Sequence, residues 1–282
     1  MSFRWRMIMP LLVLFIAAVG YPLVYSFWLS LTSYRITTKN PHFVGLQQYN
    51  DVIHNGDFWH AIWVTFVFVV FAVGFEVVIG MAIALALQRQ RWARDFTRSF
   101  LLTPMFVTPI AVGLMFRFLL NEQLGAIPAA LAKFGLSYDF FGPGKALFSI
   151  VMIDVWQWTP FMVLLLLAGL ESLPRQPFEA ARVDGASPTY TFRRITLPMM
   201  TSVLVVAILI RSLDALRVFE YVYAITRGGP GTDTQTIQYL VYNTGITYFR
   251  LGNASAMAYI LLLMVMVVVV ALYRRVEKAR QS

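Results

Sequence analysis

The sequence predicts an all-α polytopic membrane protein with six transmembrane helices. Three observations carry this. Six segments are apolar over the roughly 20 residues that a bilayer crossing needs. Charged residues make up 13% of the 282 residues and mean hydropathy is +0.66, whereas a soluble domain carries about 25% charged residues. Lys and Arg also collect on alternate connections between the apolar segments. One transmembrane domain is expected over residues 1–282, with the bilayer taking the place of a large aqueous-protein core.

The expected spans are Met7–Leu31, Trp59–Leu87, Ser99–Leu120, Ala146–Leu170, Met199–Thr226 and Ala254–Tyr273. The first follows Arg4 and Arg6, as the apolar run of a signal peptide would. It is longer than such a run and has no cleavage pattern behind it, so it reads as a retained span. The second contains Glu76 and the small residues Gly74, Gly80, Ala82, Ala84 and Ala86, which suit close helix packing. The third contains Pro104, Pro109 and Arg117. The fourth carries Asp154, Trp156, Gln157, Trp158, Thr159 and Pro160, and the fifth Arg211, Asp214, Arg217 and Glu220.

The cations fix the orientation. Fourteen lie on one side: Arg4, Arg6, Arg89, Arg91, Arg94, Arg98, Arg175, Arg182, Arg193, Arg194, Arg274, Arg275, Lys278 and Arg280. Six lie on the other: Arg35, Lys39, Lys133, Lys145, Arg227 and Arg250. Cytoplasmic loops collect the excess of Lys and Arg, so both termini and the 171–198 loop are expected in the cytoplasm. The net charge of +9 is thus a matter of topology, and nucleic acid is not an expected partner.

Several chemistries are excluded or left without support. There is no cysteine, hence no disulfide and no thiolate metal site. His42, His54 and His60 share one outer loop at a spacing that fits no metal-ligand pattern. Gly142-Pro143-Gly144-Lys145 lacks the residues of a phosphate loop. No nucleotide-binding motif occurs, so any ATP hydrolysis belongs to another chain. Tyr49, Trp59 and Trp63 mark the membrane interface, and Thr226-Arg227-Gly228-Gly229-Pro230 ends a helix and turns the chain.

Charges within spans are costly, and are either functional or paired. Pro160 removes a helix donor and frees the Trp156 carbonyl, which is tolerated where backbone lines a cavity or is buried in protein. The spacing of three between Arg211, Asp214, Arg217 and Glu220 brings neighbours within reach of one another. One reading is a carbohydrate or polyol site, with aromatic faces on C–H surfaces and Asp, Arg and Gln side chains on hydroxyls. The other is structural, the charges neutralising one another or a partner subunit. Glu76 and Arg117 read as residues of a helix-packing or partner-subunit ion pair rather than as substrate contacts. Arg211 and Arg217 admit an anionic substrate such as glycerol phosphate, whereas Asp214 favours neutral hydroxyls. In an ion-coupled secondary transporter, Asp154, Glu76 and Asp214 would carry the ion, but such folds show inverted repeats and more spans. A membrane enzyme would need a nucleophile–base pair or metal triad, and none is present.

The stretch Glu179-Ala180-Ala181-Arg182-Val183-Asp184-Gly185-Ala186 lies in the largest cytoplasmic loop. By its residues it is a short amphiphilic helix. Glu179 in the first turn suits the helix dipole, Gly185 ends the helix in a left-handed conformation, and Ala180 and Ala181 leave one side thin enough for another protein. A solvated loop helix and a docking surface both satisfy this reading.

The pattern Glu-Ala-Ala, three residues, Gly, nine residues, Ile, one residue, Leu-Pro is filled by Glu179, Ala180, Ala181, Gly185, Ile195, Leu197 and Pro198. It resembles the cytoplasmic loop of binding-protein-dependent ABC importer permeases. Gly228-Gly229-Pro230 resembles a turn of the carbohydrate, maltose-permease-F-like branch, and Gly45-Leu46-Gln47-Gln48-Tyr49 resembles an outer-loop motif of sugar permeases, with Gln48 for the usual Asn. The resemblance covers essentially the whole chain. It implies a type I ABC importer permease architecture in the bacterial cytoplasmic (inner) membrane. It implies a non-catalytic translocation subunit that works by alternating access, with no cofactor of its own. Its partners would be a second homologous permease, two ATPase subunits that hold ATP and Mg, and an extracytoplasmic substrate-binding protein. Glu179, Ala180, Ala181, Asp184, Gly185 and Ala186 would couple to an ATPase subunit. Substrate contacts would fall on Trp156, Gln157, Trp158 and Phe161 and on Arg211, Asp214, Ala215 and Val218. Ala215 and Val218 offer no hydrogen-bonding side chain, which implies a substrate other than maltose held in the same way.

Overall fold

A computed structural model describes residues 3–37, 41–90 and 94–281. Lys39 and Arg91, two of the cations that set the expected orientation, lie outside the described residues. Among the described residues the chain forms helices joined by turns and loops, with an isolated bridge between Thr32 and Phe43. Two compact units are present, Met1–His60 with Leu240–Ser282, and Ala61–Tyr239.

In the first unit α1 (Phe3–Phe15) runs through a π-turn into α2 (Tyr21–Ser30). A short α3 (Gln47–Ile53) follows, and α13 (Leu251–Gln281) returns from the other end of the chain. The α2 and α13 helices pack together, the Phe27 and Tyr259 rings meeting edge-on at 5.3 Å and the Tyr259 hydroxyl donating to the Leu23 carbonyl at 2.5 Å. Gly252 is required here, because a Cβ at this position would collide with the backbone carbonyl of Thr32.

The second unit is organised on α8 (Ala146–Ser172), the most buried long helix. Against it pack α11 (Leu197–Ala215) and α6 (Pro109–Leu119). The core contains Phe68 from α4 (Gly56–Arg89), Ile150, Met162 and Leu166 from α8, and Met200 from α11. A Cβ on Gly80 would stand 2.9 Å from Met162 Cγ, and one on Gly169 would stand 2.7 Å from Val203 Cγ1. These helices therefore meet backbone to side chain, the close packing expected of small residues in membranes. Gly74, by contrast, faces open space.

Each of the six expected segments is helical, with two departures. Four helices, Met7–Ser30, Gly56–Arg89, Ala146–Ser172 and Pro188–Ala215, are long and apolar enough to cross a membrane. The third expected span, Ser99–Leu120, is instead a bent pair, Phe96–Phe106 and Pro109–Leu119, meeting at 89°. Its break falls at Val107 and Thr108, both extended, because Pro109 drives the residue before it out of the α region. The fifth span begins and ends earlier than expected. Ser187 caps the short α10 (Pro188–Thr191), its Oγ accepting from the Tyr190 N–H at 3.3 Å, and the chain continues through a π-turn into α11. The second part of the 171–198 loop is thus the lower end of a span. After Ala215 the helix stops, and a π-turn over Val222–Thr226 precedes the turn at Arg227, whose φ is +53°. The sixth expected span, Ala254–Tyr273, lies within α13.

Candidate functional site

Three helices of the second unit carry their polar residues to one point. Arg211 of α11 is 1% exposed and lies among three carboxylates. Its Nη2 donates to Glu76 Oε1 of α4 at 3.0 Å and also bonds Asp154 Oδ2 of α8. Its Nη1 donates to Asp214 Oδ2, one turn along α11, at 3.0 Å. Nε sits 2.8 Å from Glu76 Oε2, an ion-pair contact in which the N–H is poorly aimed at the oxygen. Glu76 and Asp154 are sealed in the interior, whereas the Asp214 side chain is 52% exposed. Three carboxyl groups surround one guanidinium, and Asp214 is the member of the cluster that meets accessible surface.

A relay of neutral groups continues from the cluster. The Arg211 guanidinium lies 5.4 Å from the Trp158 ring, within cation–π range. Trp158 Nε1 donates to the Tyr221 hydroxyl at 3.2 Å, Tyr221 donates to Gln157 Oε1 at 2.6 Å, and Gln157 Nε2 donates to the Val107 carbonyl at 2.7 Å. That carbonyl belongs to the break between the two halves of the third span. A bent helix exposes acceptors that lipid cannot satisfy. The wholly buried Gln157 supplies the missing donor.

The residues carried over from the family pattern separate into two groups. Arg211, Gln157, Ala215 and Val218 are buried within the chain, the first two fully engaged by other side chains and backbone. Asp214 is exposed, and Trp158 and Phe161 are half-buried with their rings edge-on at 6.5 Å. Trp156, 43% exposed, points elsewhere. It meets Phe116 edge-on at 5.3 Å and lines an apolar recess of about 340 Å³ with Tyr138, Phe140 and Phe148. Glu76 pairs with Arg211 of the same chain, and Arg117 donates to the Ala224 carbonyl at 3.0 Å, a packing role. Arg217 and Glu220 form no ion pair with each other, since the helix that would align them has ended at Ala215. Tyr221 was not among the expected site residues; a tyrosine among apolar neighbours gives no sequence signal of its place in a relay. No cluster of metal-ligating side chains occurs among the described residues, the three histidines included.

The Glu-Ala-Ala stretch forms α9 (Gln176–Val183). Gly185 has φ +70°, its N–H donates to the Arg182 carbonyl at 3.2 Å, and the Ala186 N–H donates to the Ala181 carbonyl at 2.9 Å. This is the Schellman closure, which needs a left-handed residue at that place. Ala181 is buried and Ala186 half-buried, anchoring the helix, while Glu179, Ala180 and Asp184 face outward. Val183 is 88% exposed at the tip. A polar recess of about 960 Å³ lies between this loop and the ends of α4 and α8, lined by Arg89, Glu171, Arg175, Glu179 and Arg182 among others. Arg98 Nη2 holds Glu171 Oε1 at 2.6 Å beside it, joining α5 (Arg94–Leu102) to α8.

The fold and these two sites define a multi-pass helical membrane protein with a charged centre in its spans and a short, exposed helix in one of its loops. Residues 76–281 match the family of the binding-protein-dependent transport system inner membrane component, and the chain belongs to that family, whose members are the translocation components of ABC importers. It is 38% identical over 269 residues to the trehalose/maltose transport system permease protein MalF of Thermococcus litoralis, covering 92% of this chain and 89% of that protein. It is 31% identical over 258 residues to the trehalose transport system permease protein SugA of Mycobacterium tuberculosis, covering 91% and 83%. In fold it resembles a crystal structure of a bacterial ABC transporter involved in the import of the acidic polysaccharide alginate, with a TM-score of 0.84 at 21% identity over 97% of this chain and 94% of that one.

Proposed function

We propose that this chain is one of two homologous permease subunits of an ATP-driven, binding-protein-dependent importer for a neutral sugar, oligosaccharide or polyol. The observation that carries the substrate class is the occupation of Arg211. Of the two arginines that admit an anionic substrate, Arg211 is buried on three carboxyl groups and already engaged, which leaves the exposed Arg217 as the other. The cluster offers the half-exposed Asp214 instead, an acceptor for hydroxyls that repels anions. Trp158, whose ring lies 5.4 Å from the Arg211 guanidinium, and Phe161, edge-on to Trp158, supply ring faces for C–H surfaces. The names of relatives that transport trehalose, maltose or multiple sugars agree with this class.

The chain has both termini in the cytoplasm of the bacterial inner membrane. It catalyses no reaction itself; ATP and Mg bind to two partner ATPase subunits. An extracytoplasmic binding protein delivers the substrate to the outward-open state. Closure of the ATPase pair pushes on α9 through Glu179, Ala180, Ala181, Asp184, Gly185 and Ala186, and the spans change access from one side to the other. The test is ATPase activity of the reconstituted complex with its binding protein, challenged in turn with neutral disaccharides, polyols and phosphate esters. Stimulation by a neutral compound is expected, together with a loss of response in Asp214→Asn. Stimulation confined to phosphate esters overturns the reading.

A further inference from the structure

The side chains of the first unit form a second polar site that the transport reading leaves unused. On the side of the expected topology where cations are scarce, only six of the chain's 23 Lys and Arg residues are found. Two of those six, Arg35 and Arg250, are far apart in sequence yet line one recess of about 340 Å³. The recess is built by backbone pairing of the two connections. The Ile36 N–H donates to the Phe249 carbonyl at 3.2 Å, and the Gly252 N–H donates to the Tyr34 carbonyl at 3.1 Å. Phe249 accepts a left-handed φ of +57° to make this junction, and Gly252 approaches the Thr32 carbonyl too closely for any side chain. Asn253 Nδ2 donates to Gln48 Oε1 at 3.2 Å, fixing the wall between α13 and α3. Asp51 lines the same recess, yet neither guanidinium forms an ion pair with it or with any other carboxylate among the described residues. Two exposed arginines have thus been brought together against the positive-inside bias and left with their forks unoccupied.

We infer that this recess receives an acidic side chain of the extracytoplasmic substrate-binding protein, with Arg35 and Arg250 as its paired anchors. Guanidinium forks match carboxylates in geometry and charge, and the amides of Gln48 and Asn253 can hold the remaining lone pairs. Charges at such a rim steer encounter and set its salt dependence. The inference rests on the importer reading for the existence of that partner.

The test uses the intact complex in nanodiscs and the purified cognate binding protein, loaded with substrate. R35E/R250E should raise the binding-protein concentration for half-maximal ATPase stimulation by about tenfold or more, within the range of electrostatic steering, and should flatten its dependence on salt. Basal ATPase activity and subunit composition should stay those of the wild type. The milder R35Q/R250Q should move the same way by less, which covers the case in which charge reversal harms assembly. Asp51→Asn should move in the opposite direction, because it removes a negative charge from an anion site. Unchanged half-maximal concentrations and salt slopes in the Arg variants overturn the inference while the importer reading stands. Absence of any stimulation of the wild type by its binding protein overturns both. A changed response to anionic vesicles, with the binding-protein response intact, assigns the recess to lipid phosphate and also overturns the inference.

Discussion

Replacing Arg211 with methionine separates a structural clamp from a substrate ligand. Methionine keeps much of the length and apolar bulk of the side chain and removes the charge. Glu76 and Asp154 would then be two sealed carboxylates without a counter-charge. Breaking a buried pair by removing one partner costs about 3–5 kcal/mol, because the charge left behind has lost both water and its partner. Asp214 adds little to that figure, since it is half in contact with solvent. For a protein of this size a loss of that order lowers the melting temperature by about 6–20 °C. The assay is the thermal loss of monodisperse complex in detergent, followed by size exclusion after heating. The triple variant Glu76→Gln/Asp154→Asn/Arg211→Met should recover most of the loss, because replacing every member of a buried ionic group leaves no uncompensated charge. An Arg211→Met complex that melts with the wild type and shows only a weaker response to substrate refutes the reasoning, and returns Arg211 to the substrate site.

Three further outcomes are expected. Asp214→Asn should raise the substrate concentration for half-maximal uptake by about 10–100-fold, the worth of a hydrogen bond to a charged group, without a comparable shift in melting. Glu179→Lys should leave ATP hydrolysis in place and abolish uptake, since the residue is exposed on α9 and its side chain forms no hydrogen bond or ion pair among the described residues; normal uptake would remove α9 from the coupling role. Gly169→Val should destabilise the complex by about 1–3 kcal/mol through overpacking, as even its Cβ would stand 2.7 Å from Val203 Cγ1 and 2.9 Å from Met200 Cε, and thermal melting measures this directly.

Local patterns were legible in the sequence and long-range pairings were not. The α9 helix and its left-handed end at Gly185 follow from residues within one turn of each other, and the chain folds there as those residues dictate. Apolar length located all six segments. The break at Val107–Thr108 was written in Pro109, yet the segment read as one span because apolar content says nothing about direction. Arg211 could be read as a clamp or as a ligand, and what decides is Glu76, which lies 135 residues away in sequence. Gln157 presented the same ambiguity in sharper form. A mid-span amide beside two tryptophans has the composition of a sugar site, but it spends its donor on the carbonyl freed by the bend and its acceptor on Tyr221. Periodicity reports which positions are polar; it does not report which backbone group 50 residues away lacks a partner.

The buried cluster also sets an order of events during biogenesis. Glu76, Asp154 and Arg211 belong to the second, fourth and fifth spans, so they leave the ribosome at different times. A charge at the centre of a lone helix costs about 2.5–3.5 kcal/mol on insertion, and the apolar residues of its own span must outweigh it. The two acids enter first, and the guanidinium that pairs them in the folded chain is not made until the segment beyond α9. A nascent chain halted before Arg211 therefore carries two unmatched carboxylates among its spans, a lesion that membrane quality control can recognise. The arrival of the fifth span closes the bundle, and it does so with the same helix that continues from the coupling loop.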